Sequence, residues 1–157
     1  MRRWYTVKVK YTKKIEKDGE VDYKKISESY LLSAVSFTDA EATITKEVGD
    51  RAEGEFLVHA MSVTEMNDVF RYRDTGFWYL CKTTSEFEDN GKVTKIKETY
   101  MVEAASVSEA SSRLEESLKE ALYDYKISSV ALSPVMDVIE ASLDKELSRT
   151  QPAETND

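Results

Sequence analysis

KISESYLLSAVSFTDAEA, Lys25 to Ala42, recurs in altered form as KIKETYMVEAASVSEASS, Lys95 to Ser112. Both copies read I-x-E-x-Y, then an Ala four residues past the Tyr, a Ser two further on, and a helix start. The correspondence extends outward. Trp4-Tyr5 and Lys8 answer Trp78-Tyr79 and Lys82, and Gly19-x-Val21 answers Gly91-x-Val93. Phe56 and Val58 answer Tyr125 and Ile127, and Asp68-Val69-Phe70 answers Asp137-Val138-Ile139. The offset drifts from 74 to 72 to 70 to 69, with the changes in loops, where small insertions are tolerated. A period of about 70 is too long for a solenoid repeat. Two copies of one supersecondary unit are therefore expected, pseudo-symmetric and packed as one compact body.

Each copy reads strand, strand, helix, strand, short turn. Trp4 to Lys13 alternates, with Tyr5, Val7, Val9 and Tyr11 on one face and Trp4, Thr6, Lys8 and Lys10 on the other. That period of two marks a half-buried strand. Asp18-Gly19 is a hairpin turn signal. On the returning strand Ile26, Glu28, Tyr30, Leu32 and Ala34 share a face, as do Ile96, Glu98, Tyr100, Val102 and Ala104. This face is alike in both copies and is expected to be the core face. The opposite face varies (Ser27, Ser29, Leu31, Ser33 against Lys97, Thr99, Met101, Glu103) and is expected to be wetter.

Thr38 with Glu41 reads as a capping box with Phe37 as its staple, and Ser108 with Ser111 as an incomplete one. Ala40, Ile44 and Val48 form one helical stripe; Ala110, Leu114, Leu118, Ala121 and Leu122 form a longer one. Gly49 can end the first helix. In the third strands the apolar phase breaks after Val58 and after Ile127, predicting bulges at His59-Ala60 and Ser128-Ser129. Met66, Val69, Phe70 and Val135, Val138, Ile139 have helix-like spacing over a short turn.

The expected class is α+β: two tandem ββαβ units with mainly antiparallel sheet. Residues 1–70 form the first unit, 71–76 (RYRDTG) a short joint, 77–149 the second unit with a final helix from Ser142 to Arg149, and 150–157 a disordered tail. At 157 residues the chain can bury a real core. No apolar run approaches the ~20 residues of a membrane span. The N-terminal MRRWYTVKVKY lacks a signal-peptide core, so a cytoplasmic location in a bacterial host is expected, without membrane contact.

Cys81 is the single cysteine and His59 the single histidine, which excludes an internal disulfide and a cysteine metal cluster. Net charge is −8 but uneven: +5 over residues 1–25, −6 over 26–102 and −7 over 103–157. That balance argues against indiscriminate polyanion binding while leaving room for a local basic face. Cys81 lies mid-strand, facing inward like Tyr79, and reads as a small buried hydrophobe.

Trp4–Tyr11 (W-Y-x-V-K-V-K-Y), Glu28–Ala42 (E-x-Y-L-x-x-A-x-S-F-T-D-A-E-A) and Met66–Phe70 (M-x-D-V-F) together resemble a domain-of-unknown-function family of Bacteroidetes, their mobile elements and crAss-like phages. The resemblance covers nearly the whole chain, to about Ile139, although the acidic end is longer than the family pattern. It implies a phage or mobile-element gene working inside a bacterial cell, and carries over no functional residues.

The residues point to binding rather than catalysis. Glu28 with Glu98, and Asp68 with Asp137, are repeat-equivalent carboxylates. Two such acids brought together could hold a divalent cation or raise one another's pKa. Against this, nearby lysines can neutralise the glutamates, and the aspartates can cap a turn. No Gly-rich phosphate loop or nucleophile motif is present. We therefore expect a non-enzymatic adaptor that binds a ligand or a host or phage protein, with no cofactor, no metal and a homodimer compatible with the repeat. One alternative is a single-stranded nucleic-acid-binding accessory protein. It would use Trp4, Lys8 and Lys10 with Trp78 and Lys82, bases stacking on exposed rings and phosphates meeting ammoniums. A virion component is the other.

Overall fold

The computed structural model describes residues 1–140; the expected helix at 142–149 and tail at 150–157 lie outside them. Within that span the chain forms β1 (Arg3–Lys17), β2 (Glu20–Ala34), α1 (Phe37–Val48), a 3-10 turn (Gly49–Arg51), β3 (Phe56–Thr64), β4 (Asp68–Phe70), β5 (Trp78–Asp89), β6 (Lys92–Glu103), α2 (Val107–Ser117), β7 (Lys126–Leu132) and β8 (Val135–Ile139). The class is α+β, and the strand–strand–helix–strand order occurs twice. Each hairpin turns through two residues in the left-handed region, Asp18-Gly19 and Asn90-Gly91, which matches the right-handed twist of the flanking strands.

The strands form two four-stranded sheets, ordered β3-β1-β2-β8 and β4-β6-β5-β7. The short turns expected at the end of each copy are therefore strands. Three to five residues cannot distinguish a helical from an extended period. Asp68–Phe70 runs parallel to Tyr100–Val102 of β6. Among the described residues the packed units are Met1–Thr64 with residues 138–140, and Glu65–Asp137. Residues 65–70, grouped by sequence with the first unit, thus lie with the second. Each sheet takes its fourth strand from the segment that follows the other copy's third strand.

The bulges fall where the broken phase placed them. Lys8 faces Ala60 while Val9 faces Val58, leaving His59 as the extra residue. Lys82 faces Ser129 while Thr83 faces Ile127, leaving Ser128 extra. The caps fall two residues earlier than expected. Ser36 Oγ accepts from Asp39 N at 3.0 Å, and Ser106 Oγ accepts from Glu109 N at 3.1 Å. Asp39 and Glu109 reach back to the amides of Val35 and Ala105. Both helix starts are thus tied in both directions, the return bond reaching one residue before the serine that the repeat shares.

In unit 1 the core face of β1 and β2 packs Tyr5, Val7, Val9, Tyr11, Tyr30, Leu32 and Ala34 against Ala40, Ile44 and Val48 of α1, with Ile139 of β8. In unit 2 Tyr79, Cys81, Tyr100, Val102 and Ala104 pack against Ala110 and Leu114. Burying a side chain such as Ile44 or Leu114 contributes about 1.5–3 kcal/mol. The second helical stripe is shorter than expected. The helix stops at Ser117, Leu118 only flanks the core, and Leu122 is fully exposed. The variable strand face also differs from expectation at one end. Ser27 and Lys97 are exposed, but Leu31, Ser33, Met101 and Glu103 are buried.

Candidate functional site

The I-x-E-x-Y motif makes the same contact in both units. Alternation puts the Glu and the Tyr on one face, two residues apart. In unit 1, Glu28 Oε1 accepts from the hydroxyls of Tyr30 and of Tyr11, both at 2.9 Å. Arg51, on the turn after α1, donates to the Tyr30 oxygen at 2.7 Å. In unit 2, Glu98 accepts from Tyr100 at 3.2 Å, from Tyr123 at 2.6 Å and from the Asn67 amide at 3.1 Å. The hydrogen-bond partners are tyrosines, with Asn67 in unit 2, rather than the lysines expected from sequence. Burial first, then the adjoining Glu28 carboxylate, raises the Tyr30 and Tyr11 hydroxyls above their ordinary range. Burial and Glu98 do the same to Tyr100; for Tyr123 the hydrogen bond to Glu98 comes first. These phenols are fixed proton donors at neutral pH, and each carboxylate is engaged within its own unit.

Asp68 accepts from the amide of Val69 at 2.8 Å. Asp137 pairs with Arg71 at 3.5 Å. Among the described residues no group of three or more His, Cys, Asp or Glu side chains gathers in a way that could hold a metal ion. Cys81 is fully buried, which pushes its thiol up to about 11. It remains a protonated core side chain.

The tryptophans part company. Trp4 is half-buried, whereas Trp78 is 1% exposed, with the Arg71 guanidinium 5.2 Å from the centre of its ring. A buried indole offers no face to a base, so the paired stacking platform expected at Trp4 and Trp78 does not form. Lys8, Lys10 and Lys82 are exposed, as the strand pattern required.

The most elaborate polar constellation was not foreseen. The loop Tyr72–Gly76 wraps the Glu103 carboxylate with five successive amides. Tyr72 and Arg73 donate to Oε1 at 2.8 and 2.6 Å; Asp74, Thr75 and Gly76 donate to Oε2 at 3.2, 3.1 and 2.9 Å. Positive φ at Arg73 and Gly76 bends the loop so that its N–H groups converge, a backbone nest for an anion. Burial alone would raise the Glu103 carboxyl, but the amides of Gly76, Arg73, Tyr72 and Thr75 outweigh it and hold it at about 2. Arg113 of α2 closes the assembly. It donates to the Glu103 carbonyl at 2.8 Å, pairs with Asp74 through both nitrogens and lies 4.1 Å from the centre of the Tyr72 ring. It holds the Asp74 carboxyl below its usual range. The segment RYRDTG, expected as a joint between units, is therefore a clasp inside unit 2. Its polarity was visible in the sequence, but its acceptor 27 residues or more downstream was not.

Beyond the reach of the third strands, each hairpin continues as a two-stranded ribbon. In unit 1 the pairs run from Lys13–Lys24 to Lys17–Glu20, and in unit 2 from Ser85–Ile96 to Asp89–Lys92. The ribbons carry Val21 (65% exposed) and Tyr23 (55%) in unit 1, and Phe87 (56%) and Val93 (55%) in unit 2.

These features define a tandem-repeat α+β protein in which the hydrogen-bonded carboxylates of Glu28, Glu98 and Glu103 hold strands and loops in place, with exposed hairpin arms. The chain belongs to the DUF4494 family, a domain of unknown function, whose family model matches residues 3–141. No curated protein and no solved structure matches it. Among the described residues no helix is long and apolar enough to cross a membrane.

Proposed function

We propose that this protein is a non-enzymatic binding module, an adaptor that engages a macromolecular partner through its hairpin arms. The observation that carries the reading is the pair of ribbons. Each extends past its own core, yet keeps large apolar side chains in water. A two-stranded ribbon is marginally stable by itself, and Tyr23, Val21, Phe87 and Val93 contribute nothing to the core clusters of their units. Exposed apolar groups on a polar surround mark interaction sites. The engagement of Glu28, Glu98 and Glu103 by phenols and amides supports a non-catalytic reading, because each is committed to a structural contact.

The setting we propose is the cytoplasm of a bacterial cell, with the gene carried by a phage or mobile element of Bacteroidetes. Support comes from the family resemblance at Trp4–Tyr11, Glu28–Ala42 and Met66–Phe70. The test is affinity capture from extract of such a host, with the wild-type chain beside V21S/Y23S and F87S/V93S variants. Specific partners retained by the wild type should be lost from at least one variant while the circular dichroism spectrum is unchanged. Identical captures from all three chains would remove the arms from the function.

A further inference from the structure

We propose that the helix-free face of the unit 1 sheet binds single-stranded nucleic acid, with phosphates on Lys8, Lys10, Lys14 and Lys25 and a base stacked on Tyr23. This rests on the binding-module reading and names a ligand class for the same hairpin.

The strand register defines the face. Opposite Lys8, Lys10, Thr12, Lys14 and Glu16 on β1 stand Ser29, Ser27, Lys25, Tyr23 and Val21 on β2. Alternation puts all of these on the side away from Tyr5, Val7, Val9 and Tyr11, which pack against α1. The face is closed near Trp4, where Leu31 and Ser33 are buried, and exposed at Lys8, Lys10, Lys14, Tyr23 and Lys25. On this face four lysines stand against two acids, Glu16 on β1 and Glu55 just before β3, in a protein of net charge −8. None of the four is held in an ion pair among the described residues. A cleft of about 340 Å³ lies among them, its lining including Lys10, Lys25, Thr12, Ser27, Glu55 and Leu57. Successive lysines along β1 are spaced by about 7 Å or twice that.

A basic sheet face with one exposed ring suits a single strand, whose bases are free to stack. A duplex presents phosphates but no accessible base face to Tyr23. The equivalent face of unit 2 keeps Lys82, Lys95, Lys97 and Lys126. However, it adds Glu86 and Glu88, and beside Val93, the counterpart of Val21, it carries no exposed ring. It has the charge without the ring.

The experiment is fluorescence anisotropy of the full chain with a labelled oligothymidylate of about 20 nucleotides. With four phosphates neutralised, the logarithm of affinity should fall with the logarithm of salt at a slope of about −3, or about 20-fold between roughly 50 and 150 mM. Y23A should weaken binding by about tenfold, and K10E/K25E should abolish it. K95E/K97E should stay within about threefold of wild type. No binding by the wild type at low salt overturns the proposal without touching partner capture by the arms. Equal affinity for a duplex, equal loss in K95E/K97E, or displacement by polyglutamate at matched charge overturns it as well. The salt slope is measured on the wild type and does not depend on any variant folding.

Discussion

Ser33 and Glu103 occupy the same place in the two units, one residue before the alanine that closes the second strand's core face, and both are buried. Their surroundings differ. At Ser33 the main-chain carbonyl takes a single long bond of 3.3 Å from Arg2. At Glu103 the side chain collects five amides of the loop that turns the chain from β4 into β5. No such turn precedes β1 among the described residues. A repeated unit keeps its core residues because the core is the same in both copies. At the junction, the amides left unpaired by a tight loop need an acceptor, and only one copy has that loop.

Removing that acceptor should therefore have the largest and most lopsided effect. Glu103→Ala leaves five converging amides without their anion and should destabilise unit 2 by about 3–5 kcal/mol. Ser33→Ala should cost under about 0.5 kcal/mol. Urea denaturation of the two variants checks this, and equal effects would mean that the nest holds nothing.

Acid sharpens the same contrast. The Glu103 carboxyl sits at about 2 in the folded protein, below its ordinary 4.5. A depressed carboxyl stabilises fully above its unfolded value and loses that contribution as pH falls toward the folded one. Wild-type stability should thus fall between about pH 4.5 and 2, and E103Q should lack that component. Parallel acid profiles for the two proteins would refute the assignment.

The glutamate–tyrosine clusters compare the units at a site where they agree. Glu28→Gln and Glu98→Gln should each cost about 1 kcal/mol, since a neutral acceptor replaces a charged one. The more diagnostic readout is ultraviolet titration. Glu28 raises the Tyr30 hydroxyl, so E28Q should let Tyr30 ionise at lower pH than in wild type. No change would mean that the carboxylate is not its partner.

These contrasts also explain what the sequence could disclose. The core faces of the strands, both bulges and the first turn were legible because each is a local pattern: alternation, a three-residue phase step after Val58 and Ile127, and Asp-Gly. The helix caps were misplaced by two residues because Ser36, Thr38, Ser106 and Ser108 all have capping chemistry. An acid three residues on in both copies, Asp39 and Glu109, is the local signal that separates them. The fourth strands were missed because Asp68–Phe70 and Val135–Ile139 are too short to show a period. Nothing local indicates that Asp68–Phe70 pairs with Tyr100–Val102. Trp78 was misassigned for a related reason: alternation puts it on the face opposite the helix, and burial of that face is not written in β5 alone. Glu103 illustrates the limit, since its five donors come from a separate stretch of chain.

The smallest expected effect concerns the arms. Gly19 and Gly91 both sit at φ +79 with nothing near a would-be Cβ, so an alanine there meets backbone strain and no clash. The cost should be about 1 kcal/mol at either position. Where that cost falls is the informative part. The ribbon beyond Lys13–Lys24 pairs only with itself and contributes no side chain to its core, so it can open without the unit unfolding. G19A should therefore speed amide exchange in residues 14–23 by about fivefold while the melting temperature stays nearly fixed, and G91A should do the same in unit 2. If the melting temperature instead falls by the several degrees that 1 kcal/mol produces in a small domain, the arms belong to the cooperative fold. Their exposed Tyr23 and Phe87 would then be held rigidly, and binding would require no ordering of the ribbon.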